Sequence, residues 1–101
     1  MREGVNVPEA QEQEKFVRWC QANGYYVRKL TSVGRKGWPD LFVGNPRSKK
    51  HMYVEMKYGH GRVSALQRAT HETMRQCGVV VMVAFSATDA QAMVYANLGT
   101  P

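Results

Sequence analysis

Two carboxylates and one ammonium group stand out in residues 37–57, GWPDLFVGNPRSKKHMYVEMK. Asp40 heads one apolar run, and Glu55-x-Lys57 closes the next. Charges set among Leu41, Phe42, Val43, Tyr53, Val54 and Met56 cost free energy unless they are paired or bind something. Two acids beside a lysine suit a hard divalent ion. Mg2+ or Mn2+ takes oxygen ligands, commonly one or two carboxylates together with phosphate and water. If the two runs are neighbouring strands about 5 Å apart, Asp40 and Glu55 converge, and an ion between them removes their repulsion. Lys57, two residues past Glu55, then projects from the same strand face.

The elements that must position these groups are legible in the pattern of apolar residues. Residues 9–23, EAQEQEKFVRWCQAN, have helical spacing at Phe16, Val17 and Cys20, with Glu9 and Gln13 extending the stripe backward. Asn6, Pro8 and Glu9 fit a helix start, and Gly24 a stop. Tyr25–Thr31 reads as a first strand, residues 32–37 as a loop, and Leu41–Val43 as a second strand. A turn through GNPRSKK leads to a third strand, His51–Lys57, completing an antiparallel hairpin. Alternation there puts Met52, Val54 and Met56 on one face and Tyr53, Glu55 and Lys57 on the other. A helix follows over Ser64–Gln76, with a stripe at Leu66, Ala69, Thr73, Met74 and Cys77. Val79–Phe85 has no alternation, which predicts a strand covered on both faces. Ser86-x-x-Asp89 opens a last helix running to Leu98.

The chain has 101 residues, enough for one domain, and residues 1–7 are expected to be a flexible lead-in. No apolar stretch approaches the roughly 20 residues a membrane span needs, and MREGVNVPEA lacks the apolar centre of a secretory signal. A soluble, intracellular, cytoplasmic protein is the expectation. Cys20 and Cys77 are expected to be buried free thiols.

The net charge of +6 is concentrated. Residues 28–62 hold nine Lys and Arg against two acids, and the remainder holds five against six. A localised basic field points to a polyanion, most often nucleic acid. Arg35 and Lys36 before the motif, Lys49 and Lys50 at the hairpin tip, and His60 and Arg62 around a glycine-rich loop are the candidate phosphate contacts.

Pro39-Asp40 followed by Glu55-x-Lys57 resembles the pattern of the PD-(D/E)xK nuclease superfamily. Gly37-Trp38-Pro39-Asp40-Leu41, Glu55-Met56-Lys57, the glycine-rich loop 59–61 and Val63-Ser64-Ala65-Leu66-Gln67 together resemble the VRR-NUC family, the virus-type replication-repair nucleases. Glu9-x-x-x-Gln13 ahead of Phe16-Val17-x-Trp19 is similar to that family's first helix, so the resemblance spans nearly the whole chain. It implies a single domain over 1–101 with a restriction-endonuclease-like αβββαβα core, an α/β fold whose central mixed sheet is flanked by helices. It implies an Mg2+- or Mn2+-dependent endonuclease acting on DNA. Asp40, Glu55 and the Met56 carbonyl would hold the ion, with Lys57 near the scissile phosphate and Gln67 in the site. Glu9 would reach the metal from the first helix, with Gln13 beside it. The resemblance also implies a homodimer that cuts branched DNA such as a four-way junction, since two symmetric sites suit two strands. The compact chain fits a viral or mobile-element protein acting inside a bacterial host.

Each residue has a plainer explanation. Asp40 after Pro39 is an ordinary turn pair, and Glu55 with Lys57 an ordinary ion pair on an edge strand. Ser64-x-x-Gln67 is a capping box in its own right. Glu12 and Glu14 read as solvated charges, Trp38 as packed on the sheet, and His51 and His71 as surface or helix-edge residues. Two other functions compete: a basic DNA-binding module without chemistry, and a restriction-type nuclease with sequence specificity. The latter needs elements that read base edges, for which a chain of this size has little room. Phosphate contacts alone do not separate DNA from RNA.

Overall fold

The computed structural model describes residues 8–30 and 36–101. The expectations placed on residues 1–7, the Asn6 cap and Arg35 fall outside that range. Helix α1 (Pro8–Ala22) leads into strands β1 (Tyr26–Lys29), β2 (Leu41–Asn45) and β3 (Lys50–Met56). Helix α2 (Ala65–Gln76), strand β4 (Val81–Ala84) and helix α3 (Ala87–Leu98) complete the order, which is the αβββαβα order expected. The sheet order is β1-β2-β3-β4, antiparallel except for the parallel β3–β4 pair, whose connection is α2.

The main core lies on one face of the sheet. Phe16, Val17 and Cys20 of α1 and Ala87, Ala90, Val94 and Leu98 of α3 pack on Leu41, Val43, Met52, Val54 and Met56. Alternation within β3 therefore sends Tyr53 and Glu55 to the opposite face. There α2 covers only part of the sheet, and its buried residues are His71 and Met74. The stripe predicted for this helix is displaced. Leu66 is 52% exposed, and Ala69, Thr73 and Cys77 are exposed as well. The helix turns inward the side carrying Gln67, His71 and Met74, so that Gln67 and His71 meet Glu55 while Ala69, Thr73 and Cys77 border a groove beside Trp38 and Tyr53. Cys77 consequently lines an open groove with Trp38, Tyr53, Thr73 and Val79, and the expectation of a buried thiol is corrected. Cys20 is buried and free as expected, and burial pushes its thiol up to about 12.

Two further expectations change. Met82 on the core face and Val83 on the α2 face are only partly buried, since β4 is an edge strand. Glu12 is not a solvated charge: its Oε1 accepts the Ala87 amide at 2.8 Å at the start of α3. That amide first, then Lys15, holds its carboxyl below the usual range. Glu14 pairs with Lys29 at 3.2 Å on the surface.

A polar clasp closes the far end of the hairpin. Asn45, 2% exposed, donates from Nδ2 to the Leu98 carbonyl at 2.8 Å and the Thr100 carbonyl at 3.1 Å. Its Oδ1 accepts the Arg47 amide at 2.9 Å. Ser48 Oγ also donates to Leu98 at 2.8 Å, and the Tyr25 hydroxyl donates to Gly99 at 2.7 Å. These bonds satisfy carbonyls at the C-terminus of α3 that have no partner within the helix. Asn45→Ala should cost about 1–2 kcal/mol in urea unfolding, because it removes bonds to Leu98, Thr100 and the Arg47 amide, while Ser48 still serves the buried Leu98 carbonyl. Tyr25→Phe, which removes one bond near the surface, should cost about 1 kcal/mol.

Candidate active site

Adjacent strands bring the two acids together. The β2–β3 register pairs Leu41 with Val54 and Phe42 with Tyr53, so one step further sets Asp40 opposite Glu55 on the same face. Asp40 is fixed there by its own side chain, whose Oδ2 accepts the Met56 amide at 2.9 Å. The loop that delivers it sits tightly on α2. Gly37 has φ +90°, and a Cβ at this position would clash with Thr70 Oγ1 and lie 3.1 Å from the Leu66 carbonyl oxygen. Only glycine meets both demands. Trp38 packs edge-on against Tyr53, ring centroids 5.8 Å apart, as the sequence suggested.

Glu55 is 1% exposed. Its Oε2 accepts from Gln67 Nε2 at 3.0 Å and faces Lys57 Nζ at 3.2 Å. Gln67 serves two roles through different atoms. Its Oε1 accepts the Ser64 amide at 2.9 Å in a capping box, leaving Nε2 for the carboxylate. Oε1 of Glu55 has no hydrogen-bond partner. Burial first, then the charge of Asp40, pushes the Glu55 carboxyl up to about 7; Lys57 pulls it down and Glu9 adds a smaller upward push. That push is the sign that Glu9 of α1 lies within electrostatic reach of the site. Among the described residues, no hydrogen bond joins Gln13 to the site.

His71 is the residue that sequence reasoning misplaced. It is 1% exposed, not on a surface or helix edge, and its Nε2 lies 4.0 Å from Glu55 Oε1. The signal was present: four residues after Gln67, it shares that residue's helix face. Burial first, and then the Arg75 charge, holds its imidazole below the usual range, so the ring is neutral near pH 7.

The candidate phosphate contacts divide into two groups. Lys36 precedes the Asp40 loop, and His60 and Arg62 lie in the loop joining β3 to α2, all exposed at the Glu55 end of the sheet. Lys49 and Lys50 occupy the hairpin tip at the other end of β3, about 17 Å away at strand rise. His51 is exposed, with its ring tilted against Phe42.

A hard cation fits this donor set. Two carboxylates face each other, one of them is buried, and one ammonium offsets only part of the charge. No group of three His, Cys, Asp or Glu side chains converges among the described residues. Asp40, Glu55 and a backbone carbonyl such as that of Met56 are thus the groups available, a set suited to an ion that keeps water and phosphate as its remaining ligands.

Sheet order, crossover helix and an acid pair with a lysine on neighbouring strands define a nuclease-type α/β domain. The VRR-NUC domain model matches residues 2–88, and the chain belongs to that family of nucleases. It is similar to a solved structure described as a VRR_NUC domain, with 31% identity, 88% of this chain and 96% of the other covered, and a TM-score of 0.77. A second, described as a VRR_NUC domain protein, shares the fold at 16% identity, covering 95% and 92% of the two chains with a TM-score of 0.78. No curated protein matches the sequence.

The raised Glu55 group yields a test in protein stripped of metal. Its folded pKa near 7 exceeds the unfolded value near 4.5, so its contribution to stability is largest below pH 4.5 and is lost as pH rises to 7. Glu55→Gln should therefore be more stable than the parent above pH 7, by about 1–3 kcal/mol. The gain should shrink toward pH 5. Urea titrations across pH 5–8 measure it; an equal difference at every pH would contradict the account.

Proposed function

We propose that this protein is a Mg2+- or Mn2+-dependent endonuclease that hydrolyses phosphodiester bonds in DNA. The observation that carries the reading is the buried Glu55 carboxylate set opposite Asp40, with the Lys57 ammonium 3.2 Å from its Oε2. Asp40, Glu55 and the Met56 carbonyl would hold the ion. When bound, it supplies Lewis-acid activation of the attacking water and charge neutralisation at the phosphate.

The chain's own residues supply the rest. Asp40 and Glu55 bring negative charge to one point, held by the Met56 amide and the Gln67 amide group respectively. Lys57, only 14% exposed in its side chain, stays near the phosphate to orient the attacking water and to offset charge developing on phosphate oxygens. Glu9 adds carboxylate charge from α1. Lys36, His60 and Arg62 sit where they can bind phosphates flanking the scissile bond, and Lys49 and Lys50 can hold a more distant part of a duplex. Selectivity for branched or four-way DNA and action as a homodimer rest on the family resemblance. Among the described residues no helix is long and apolar enough to cross a membrane.

Labelled duplex, flap, fork and four-way junction should be tested with Mg2+ and Mn2+. Cleavage of branched substrates is expected. Asp40→Ala and Lys57→Ala should each reduce it at least about 1,000-fold while the protein stays folded and still shifts DNA in a gel. Calorimetry should detect stoichiometric Mn2+ in the parent and loss of it in Asp40→Ala. Cleavage that survives both substitutions overturns the assignment. DNA binding with no cleavage and no metal uptake makes this a binding module instead.

A further inference from the structure

Two buried polar atoms face each other beside the catalytic groups without touching. Among the described residues, Glu55 Oε1 and His71 Nε2 both lack hydrogen-bond partners, and they lie 4.0 Å apart with both side chains nearly inaccessible. A separation of 4.0 Å is too long for a hydrogen bond. It is also shorter than the roughly 4.6 Å that a bridging water needs for two good bonds at a tetrahedral angle. Leaving both atoms unpaired would cost a desolvation penalty on each side. A small rotation of either side chain closes the gap, as catalytic hydrogen bonds that are long in an unliganded site commonly do.

We infer that His71 is a positioning residue, its ring donating Nε2–H to Glu55 Oε1. With Gln67 and Lys57 on Oε2, that bond fixes both ends of the carboxylate that faces Asp40. Helix geometry supports the pairing, since Gln67 and His71 are one turn apart on α2 and present to Glu55 from the same side. Carboxylates that ligate metals are held by such outer hydrogen bonds, whose loss costs 10–100-fold in metal affinity. The geometry stands without the metal reading, whereas the consequence for ion binding rests on it.

The tautomer can be read by 15N NMR on histidine-labelled protein treated with chelator. His71 should carry its proton on Nε2, and Glu55→Gln should move that resonance. An Nδ1–H tautomer, or a resonance indifferent to Glu55→Gln, overturns the inference whatever the enzyme cleaves. In calorimetry, His71→Leu, which keeps bulk but has no donor, should weaken Mn2+ binding at least about 10-fold. His71→Gln, which retains a donor, should stay within about 3-fold of the parent. Thermal melts should show His71→Leu folded; parent-like Mn2+ affinity in that variant overturns the positioning role. Unchanged Mn2+ uptake in Asp40→Ala would instead count against the metal site itself, leaving the NMR result to decide on His71.

Discussion

Glu55 lies on a strand whose alternate residues, Val54 and Met56, are locked into the main core, so its carboxylate cannot retreat into water. Everything near it answers that constraint. Asp40 is held opposite by the amide of Met56, Lys57 folds over the same oxygen that Gln67 reaches, and α2 presents polar side chains where an ordinary covering helix would present leucine. A buried acid raised to about 7 is costly to the apo fold. The cost is tolerable because it is spread over a few partners, and because a divalent ion would remove most of it.

The two faces of the sheet divide the labour. One face, under α1 and α3, is a continuous apolar core that supplies the cooperative stability of a small domain. The other is half-covered by α2 and holds the facing Asp40 and Glu55. Links between helices keep the arrangement rigid: Glu12 of α1 takes the first amide of α3, and Asn45 of the hairpin takes the last carbonyls of that helix. The acid pair is thus mounted on a frame whose other side is fully packed.

The hairpin was legible because turn residues and strict alternation fix which side chains share a face, and from that the meeting of Asp40 and Glu55 follows. Element order was legible for the same reason, with ends shifting by one or two residues as helices and strands usually do. What could not be read was the orientation of α2. Apolar periodicity pointed to Leu66, Ala69, Met74 and Cys77, of which only Met74 is buried, and it does not register that Gln67 and His71 meet a carboxylate. His71 was lost with it. The role of Glu12 was hidden too, because a cap donated to another helix leaves no mark in the local sequence around either partner. Gln67 was legible as a cap and, only through the family resemblance, as a site residue; the structure gives each role its own atom.

The bond from the Met56 amide to Asp40 has a consequence for watching the site rather than for building it. An amide proton captured by a side chain escapes to solvent deuterium only when that side chain swings away. Its exchange rate therefore clocks how often Asp40 leaves its post, one opening at a time, while neighbouring amides in the sheet report the breathing of the frame. A single backbone proton can tell a loosened Asp40 side chain from a loosened fold.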